Sequence, residues 1–235
     1  MLIYNILVLN FSMKFNVVKT TVGQILSVDM KKNEFLFAEP GALISVDGAF
    51  EIKSELSGGL GASAMRMLGG GESLFINRII ANENITIQLG STLPGEFTSL
   101  NLENNGYILG DGVYVCHEGE VKISSKWGGL SSFSIGGGFM FLHVEGKGNV
   151  YVTGAEALFV KELKKNEVFY LDNSCFVACP DSVKFEKFLA GKNLLSKVVG
   201  GEGIMLKFVG PATIYYQSES PSGLASSISR YLNLR

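Results

Sequence analysis

Met30-Lys31-Lys32-Asn33-Glu34-Phe35-Leu36-Phe37-Ala38-Glu39 decides the fold, because the chain carries the same message three times. The second copy is Leu102-Glu103-Asn104-Asn105-Gly106-Tyr107-Ile108-Leu109-Gly110-Asp111. The third is Leu163-Lys164-Lys165-Asn166-Glu167-Val168-Phe169-Tyr170-Leu171-Asp172. Each runs from an apolar residue through a polar turn with Asn in fourth place. Three apolar residues, a variable residue and a carboxylate follow. The copies begin at residues 30, 102 and 163, steps of 72 and 61. Glycine clusters at Gly69, Gly136 and Gly200 are spaced by 67 and 64 residues, so a second marker reports the same period. Self-similarity at such a period is the mark of a repeated supersecondary unit.

Outward from each copy the pattern is β. Residues 14–20, 24–30, 35–38, 42–46 and 49–54 read as short strands, punctuated by Lys31–Glu34, Pro40-Gly41 and Asp47-Gly48 turns. A Gly-rich stretch follows at residues 57–71, then strands at 73–80 and 85–89. The order recurs from residue 97, with turns expected at Asn104-Asn105-Gly106, Glu118-Gly119 and 145–149. It recurs again from residue 157, with a strand expected at 175–179. The tail places Leu224, Ile228, Tyr231 and Leu232 at helical spacing after Pro221, with Ser222 as N-cap, and predicts a short helix capping the core. The expected architecture is all-β: three tandem sandwich- or barrel-like repeats around a pseudo-threefold axis, closed by that helix. The expected divisions are an extension at 1–13, repeats at 14–90, 91–154 and 155–220, and a tail at 221–235.

Composition excludes several classes. The chain has 235 residues, 46% of them hydrophobic and 18% charged, which provides for a buried core and argues against disorder. A net charge of −2 gives no electrostatic footprint for nucleic acid. Three cysteines, Cys116, Cys175 and Cys179, are poor material for a disulfide framework and point to a reducing compartment. No apolar run approaches the roughly 20 residues of a spanning helix. The start, MLIYNILVLNFS, lacks the basic region and small-residue cleavage site of a secretory signal. It reads as a first strand, or as translation from upstream of a natural start at Met13. A cytoplasmic protein, at most peripheral to a membrane, is expected.

Several stretches together resemble one widespread family. They are Pro40-Gly41-Ala42 with the Asp47-Gly48 hairpin, and Gly70-Gly71-Glu72-Ser73-Leu74-Phe75. To these add 171–179 (LDNSCFVAC), Gly200-Gly201-Glu202-Gly203 and Val209-Gly210-Pro211. The chain is similar, from about Met13 to Ser218, to proteins related to the fungal altered-inheritance-of-mitochondria factor. The resemblance implies three β repeats, each akin to the subunit of the tryptophan RNA-binding attenuation protein. It also implies a link to inner-membrane organisation in the mitochondrial relatives, and it supplies no catalytic residues. The second repeat departs from the pattern, with Phe139 where the others carry Glu72 and Glu202.

Candidate chemistry is sparse. Glu39, Asp111 and Asp172 close the three copies, and around a threefold axis they would hold a hard cation through oxygen ligands. The plainer reading is carboxylates bonding turn backbone at strand ends. The run at 58–63 lacks the Gly-Lys-Ser/Thr ending of a P-loop. Cys116, His117 and His143 do not make a four-ligand zinc spacing, and no Gly-x-Ser-x-Gly elbow is present. The informative feature is the apolar, Gly-rich loop in the same slot of each repeat. It carries Met65 and Met67, then Trp127 and Phe133, then Leu194 and Leu195, punctuated by Arg66, Lys126, Lys192 and Lys197. Exposed, these loops fit a membrane surface or a protein partner; folded back, they plug the open end of a barrel. The sequence therefore points to a non-catalytic binding or scaffolding protein without cofactor, assembling as a homo-oligomer. A small-molecule-binding or enzymatic barrel is the alternative, and nucleic-acid binding is a weaker one.

Overall fold

The computed structural model describes residues 13–56, 75–127, 140–189, 204–219 and 221–232. The described residues are almost wholly β, with three sheets and one α-helix. The first segment supplies β1 (Lys14–Thr20), β2 (Gly23–Met30), β3 (Phe35–Ala38), β4 (Leu43–Asp47), β5 (Phe50–Leu56), β6 (Phe75–Ala81) and β7 (Ile85–Leu89). The second supplies three long strands, β8 (Gly95–Leu109), β9 (Tyr114–Trp127) and β10 (Met140–Ala155). The third supplies β11 (Leu158–Leu163), β12 (Val168–Asp172), a 3-10 turn at Asn173–Cys175, β13 (Phe176–Pro180), β14 (Phe185–Leu189), β15 (Ile204–Val209) and β16 (Ala212–Gln217). Helix α1 (Pro221–Leu232) ends the described chain.

The sheets are ordered β1-β2-β7-β4, then β11-β16-β13-β8-β10-β9-β3-β6-β5, then β12-β15-β14. Alternation explains their faces. Leu26, Val28 and Met30 of β2 are buried, and they stand opposite Leu89, Ile87 and Ile85 of β7. A side-chain period of two places all six on one inner face. Three apolar clusters result, and they follow the three segments along the chain.

The outer segments share one pairing scheme. β2-β7-β4 with β3-β6-β5 in the first corresponds to β11-β16-β13 with β12-β15-β14 in the third. The quoted turn is built alike in both. Glu34 Oε2 accepts from the Lys31 N–H at 2.7 Å, and Glu167 Oε2 accepts from the Lys164 N–H at 2.9 Å. Asn33 and Asn166 take positive φ and donate to the Ala81 and Gly210 carbonyls. Asn tolerates that left-handed conformation better than most residues.

The second segment differs from expectation. The turns expected at Asn104-Asn105-Gly106, Glu118-Gly119 and 145–149 are not breaks; β8, β9 and β10 run through all three. Asn104 takes the positive φ of Asn33 and Asn166, so Asn105 stands in the place of Glu34 and Glu167; its shorter side chain accepts from the Glu103 N–H at 2.7 Å, two residues back instead of three. A Cβ at Gly106 would lie 2.4 Å from Asp181 Oδ2 and 2.8 Å from His143 Nε2. The strand continues, with Asn104 as the extra residue of a bulge opposite Gly146 and Lys147 of β10. Its positive-φ residue is Asn104 rather than Asn105. Two smaller corrections concern the ends of the third segment. Cys175 lies in the 3-10 turn, not in a strand with Cys179. Helix α1 leaves Ile228 and Leu232 exposed and contributes to none of the three clusters, so the described part of it does not cap the core as expected.

Candidate functional site

The segments join by strand pairing, and the joins gather most of the buried chemistry. At the first join, Phe37 stands opposite His117 and Ala38 opposite Cys116, and the Glu39 N–H donates to the Val115 carbonyl at 2.8 Å. At the second, Ile108 stands opposite Cys179 and Leu109 opposite Ala178, and the Gly110 N–H donates to the Val177 carbonyl at 2.8 Å. Val115 and Val177 are each skipped in the ladder to the next strand, and so is Ile44 in β4. Each is the extra residue of a bulge, and at Val115 and Val177 the carbonyl turns to the neighbouring strand.

The bulge at Val115 has a chemical consequence. Residues three apart in a regular strand face opposite sides, but here Tyr114 and His117 meet. The Tyr114 hydroxyl and His117 Nδ1 are 2.7 Å apart and share a hydrogen bond. Phe37 stacks on the imidazole at 4.9 Å, and the Arg78 guanidinium lies 3.9 Å above the Phe35 ring. Burial drives the His117 pKa down to about 3 and pushes the Tyr114 hydroxyl well above its usual value. Both groups are therefore neutral at physiological pH and locked by packing.

The opposite face carries Cys116, Glu118 and Tyr151. Burial first, then the Glu118 charge, raises the Cys116 thiol well above the ordinary range. Glu118 Oε1 accepts from Asn149 at 2.8 Å, while its buried Oε2 has no partner. Burial raises the Glu118 pKa, the Asn149 bond opposes this, and Glu34 adds a further rise. At the second join the His143 Nε2 and Asp181 Oδ2 are 3.0 Å apart. The two histidines thus serve separate joins, and neither lies with the other in a ligand set.

The three carboxylates named from the sequence do not converge. The join bonds show why: Gly110, not Asp111, holds the place of Glu39. A Cβ at Gly110 would stand 2.1 Å from the Phe176 carbonyl, so only glycine fits. Asp111 falls one residue later and still approaches Glu39. Burial first, then the Asp111 charge, raises the Glu39 pKa to about 7. Asp172 instead accepts from the Ser174 N–H at 2.8 Å and from its hydroxyl, at the start of the 3-10 turn. Among the described residues no three His, Cys, Asp or Glu side chains could hold a metal ion.

Met65, Met67, Phe133, Leu194 and Leu195 lie outside the described residues, and of Trp127 only the backbone is described, paired with Met140 at the end of β9. A groove of about 570 Å³ opens where the segments meet at the other ends of their strands. Lys19 and Gln24, Leu93 and Glu96, and Glu156 and Glu219 line it, with Leu224 of α1 at its rim. Sequence reading missed Tyr114, Arg78 and this groove. The one available signal was 113–117 (VYVCH), an apolar run that breaks strict alternation at the bulge.

Comparison with known proteins places this architecture. A family model described as mitochondrial biogenesis AIM24 matches residues 15–219. An uncharacterised protein of Streptococcus pyogenes serotype M6 is 23% identical over 228 residues, 94% of this chain and 91% of its own. The crystal structure of a Streptococcus pyogenes protein superimposes with a TM-score of 0.76 at 22% identity, covering 93% of this chain and 99% of that one. That likeness shows a common fold. Among the described residues no helix is long and apolar enough to cross a membrane.

Proposed function

The chain belongs to the mitochondrial biogenesis AIM24 family, and we propose that it is a non-catalytic binding scaffold built from three copies of one β module. The recurrence of one join carries the reading: the same backbone bond and the same bulge unite segments one and two and segments two and three. Three titratable groups at the first join support it, whereas Glu39, raised to about 7, does not. His117, Tyr114 and Cys116 are buried and held neutral, a state suited to packing rather than to proton transfer near pH 7. In each module one antiparallel pair, β5-β6, β9-β10 or β14-β15, flanks the Gly-rich stretch. The apolar residues Met65, Met67, Trp127, Phe133, Leu194 and Leu195 would then form one composite surface for a membrane or a partner, on a cytoplasmic protein. The likeness to the tryptophan RNA-binding attenuation protein subunit belongs to this reading as well.

Trp127 is the only tryptophan in the chain, which makes the test direct. Vesicles of mixed neutral and anionic phospholipid should shift its emission to the blue and pellet the protein. Trp127→Ala with Phe133→Ala should reduce pelleting by tenfold or more. Unchanged emission and no pelleting of the wild type would remove the membrane role. A second reading, small-molecule binding, is favoured by the groove shared by all three segments.

A further inference from the structure

The scheme of joins is incomplete at both ends of the chain. Each join lays the strand after the quoted turn, β3 or the end of β8, along the strand carrying the bulge, β9 or β13. The first segment has the bulged strand, β4, with no strand laid on it. The third has the other member, β12, likewise uncovered. Among the described residues both are edge strands of their sheets.

Burial records what each edge lacks. Ile44 of β4 is 54% exposed, whereas its counterparts Val115 and Val177 are 1% and 0% exposed. Tyr170 of β12 is 42% exposed, whereas its counterpart Ile108 is 9% exposed. Edge strands that remain solvated are ordinarily protected by lysine, proline or brevity. Both strands are short, five residues each, and each ends in one aspartate, but neither VFYLD of β12 nor LISVD of β4 contains a lysine or a proline. Both edges keep the apolar character of the strands that are covered inside the chain.

We propose that β12 of one copy pairs antiparallel with β4 of a second copy, repeating between molecules the join found twice within each. The partner is this chain itself, and the register follows from the internal joins. Tyr170 stands opposite Val46, as Phe37 stands opposite His117 and Ile108 opposite Cys179. Leu171 stands opposite Ser45. The Asp172 N–H donates to the Ile44 carbonyl, as Glu39 does to Val115 and Gly110 to Val177. The contact uses two different surfaces, so the assembly is heterologous, a closed ring or a filament. The inference rests on the three-module reading but not on the loops, and its test does not involve lipid.

Two variants each damage one edge. Ile44→Asp adds a carboxylate beside Asp172 of the neighbour, and Tyr170→Asp sets one against the apolar Val46 of the neighbour. Mass is read by light scattering at about 10 μM, with circular dichroism confirming that each variant is folded. The wild type should exceed its 25.4 kDa monomer, and each variant alone should run as a monomer. An equimolar mixture should give a dimer and nothing larger, because one intact β12 then meets one intact β4. A second arm, Val46→Cys with Tyr170→Cys in a Cys175→Ser background, should give a disulfide-linked ladder on oxidation that neither single cysteine gives. A monomeric wild type, variants that keep the wild-type mass, a mixture without a dimer, or no ladder would each overturn the proposal.

Discussion

At the scale of single residues, the buried His117 and the half-buried Glu39 tilt stability in opposite directions with pH. The pKa of His117 is lowered in the fold from the usual 6.5 to about 3. Its contribution is complete above pH 6.5 and is lost as pH falls from there towards 3. Glu39 is raised from 4.5 to about 7. Its contribution is complete below pH 4.5 and is lost as pH rises towards 7. Glu39→Gln should therefore abolish the fall between pH 4.5 and 7, and His117→Phe the fall below pH 6.5. Either slope is at most about 1.4 kcal/mol per pH unit. Urea unfolding of the two variants and the wild type from pH 4 to pH 8 checks both; parallel curves would show that neither group titrates as assigned. These residues were only half legible in the sequence. Glu39 was singled out, for metal binding, because its place in the repeat was visible. Its nearness to Asp111 was read as well, within a set of three carboxylates, but Asp172 does not join them, and a one-residue offset already present at Asn104 leaves Gly110 rather than Asp111 in the equivalent place.

At the scale of elements, the closing turn and the join differ in what they cost to break. Glu34 and Glu167 each close a solvent-exposed turn, so Glu34→Ala should lower stability by about 0.5–1.5 kcal/mol. Gly110→Ala places a methyl group 2.1 Å from the Phe176 carbonyl and forces two backbones apart. Its cost should be larger, about 1–3 kcal/mol or more. Denaturant midpoints rank the two, and a Gly110→Ala variant as stable as the wild type would refute the close approach. The short strands of the outer segments were readable because Asn33-Glu34 and Asn166-Glu167 carry local turn chemistry. The fused strands of the middle were not. Asn104-Asn105-Gly106 and Glu118-Gly119 have turn composition, and only tertiary pairing with β10 on both sides makes them extended. Helix α1 was legible from its spacing alone, while its docking was not, since apolar periodicity does not name a surface to cover.

At the scale of the molecule, protection should follow the middle segment. β10 pairs along its length with β8 on one side and β9 on the other. Its buried Val144, Val150 and Val152 contribute to the central cluster. Hydrogen exchange should be slowest at these amides and fastest in β5, β14 and α1, which lie at the margins. Uniform exchange across the three segments would mean that the margins are as well supported as the centre. The all-β class was written in the chain; the single continuous sheet of nine strands was not, because local signals stop at each turn.

The first join also sets a clock for synthesis. β3 reaches its partner His117 only after about 80 further residues have been added, roughly 4–16 s at 5–20 residues per second. During that interval a nascent first module leaves the ribosome with the bonding edge of β3 bare. Crowded polysomes bring such nascent modules close together, so β3 is where a chaperone would have most to guard.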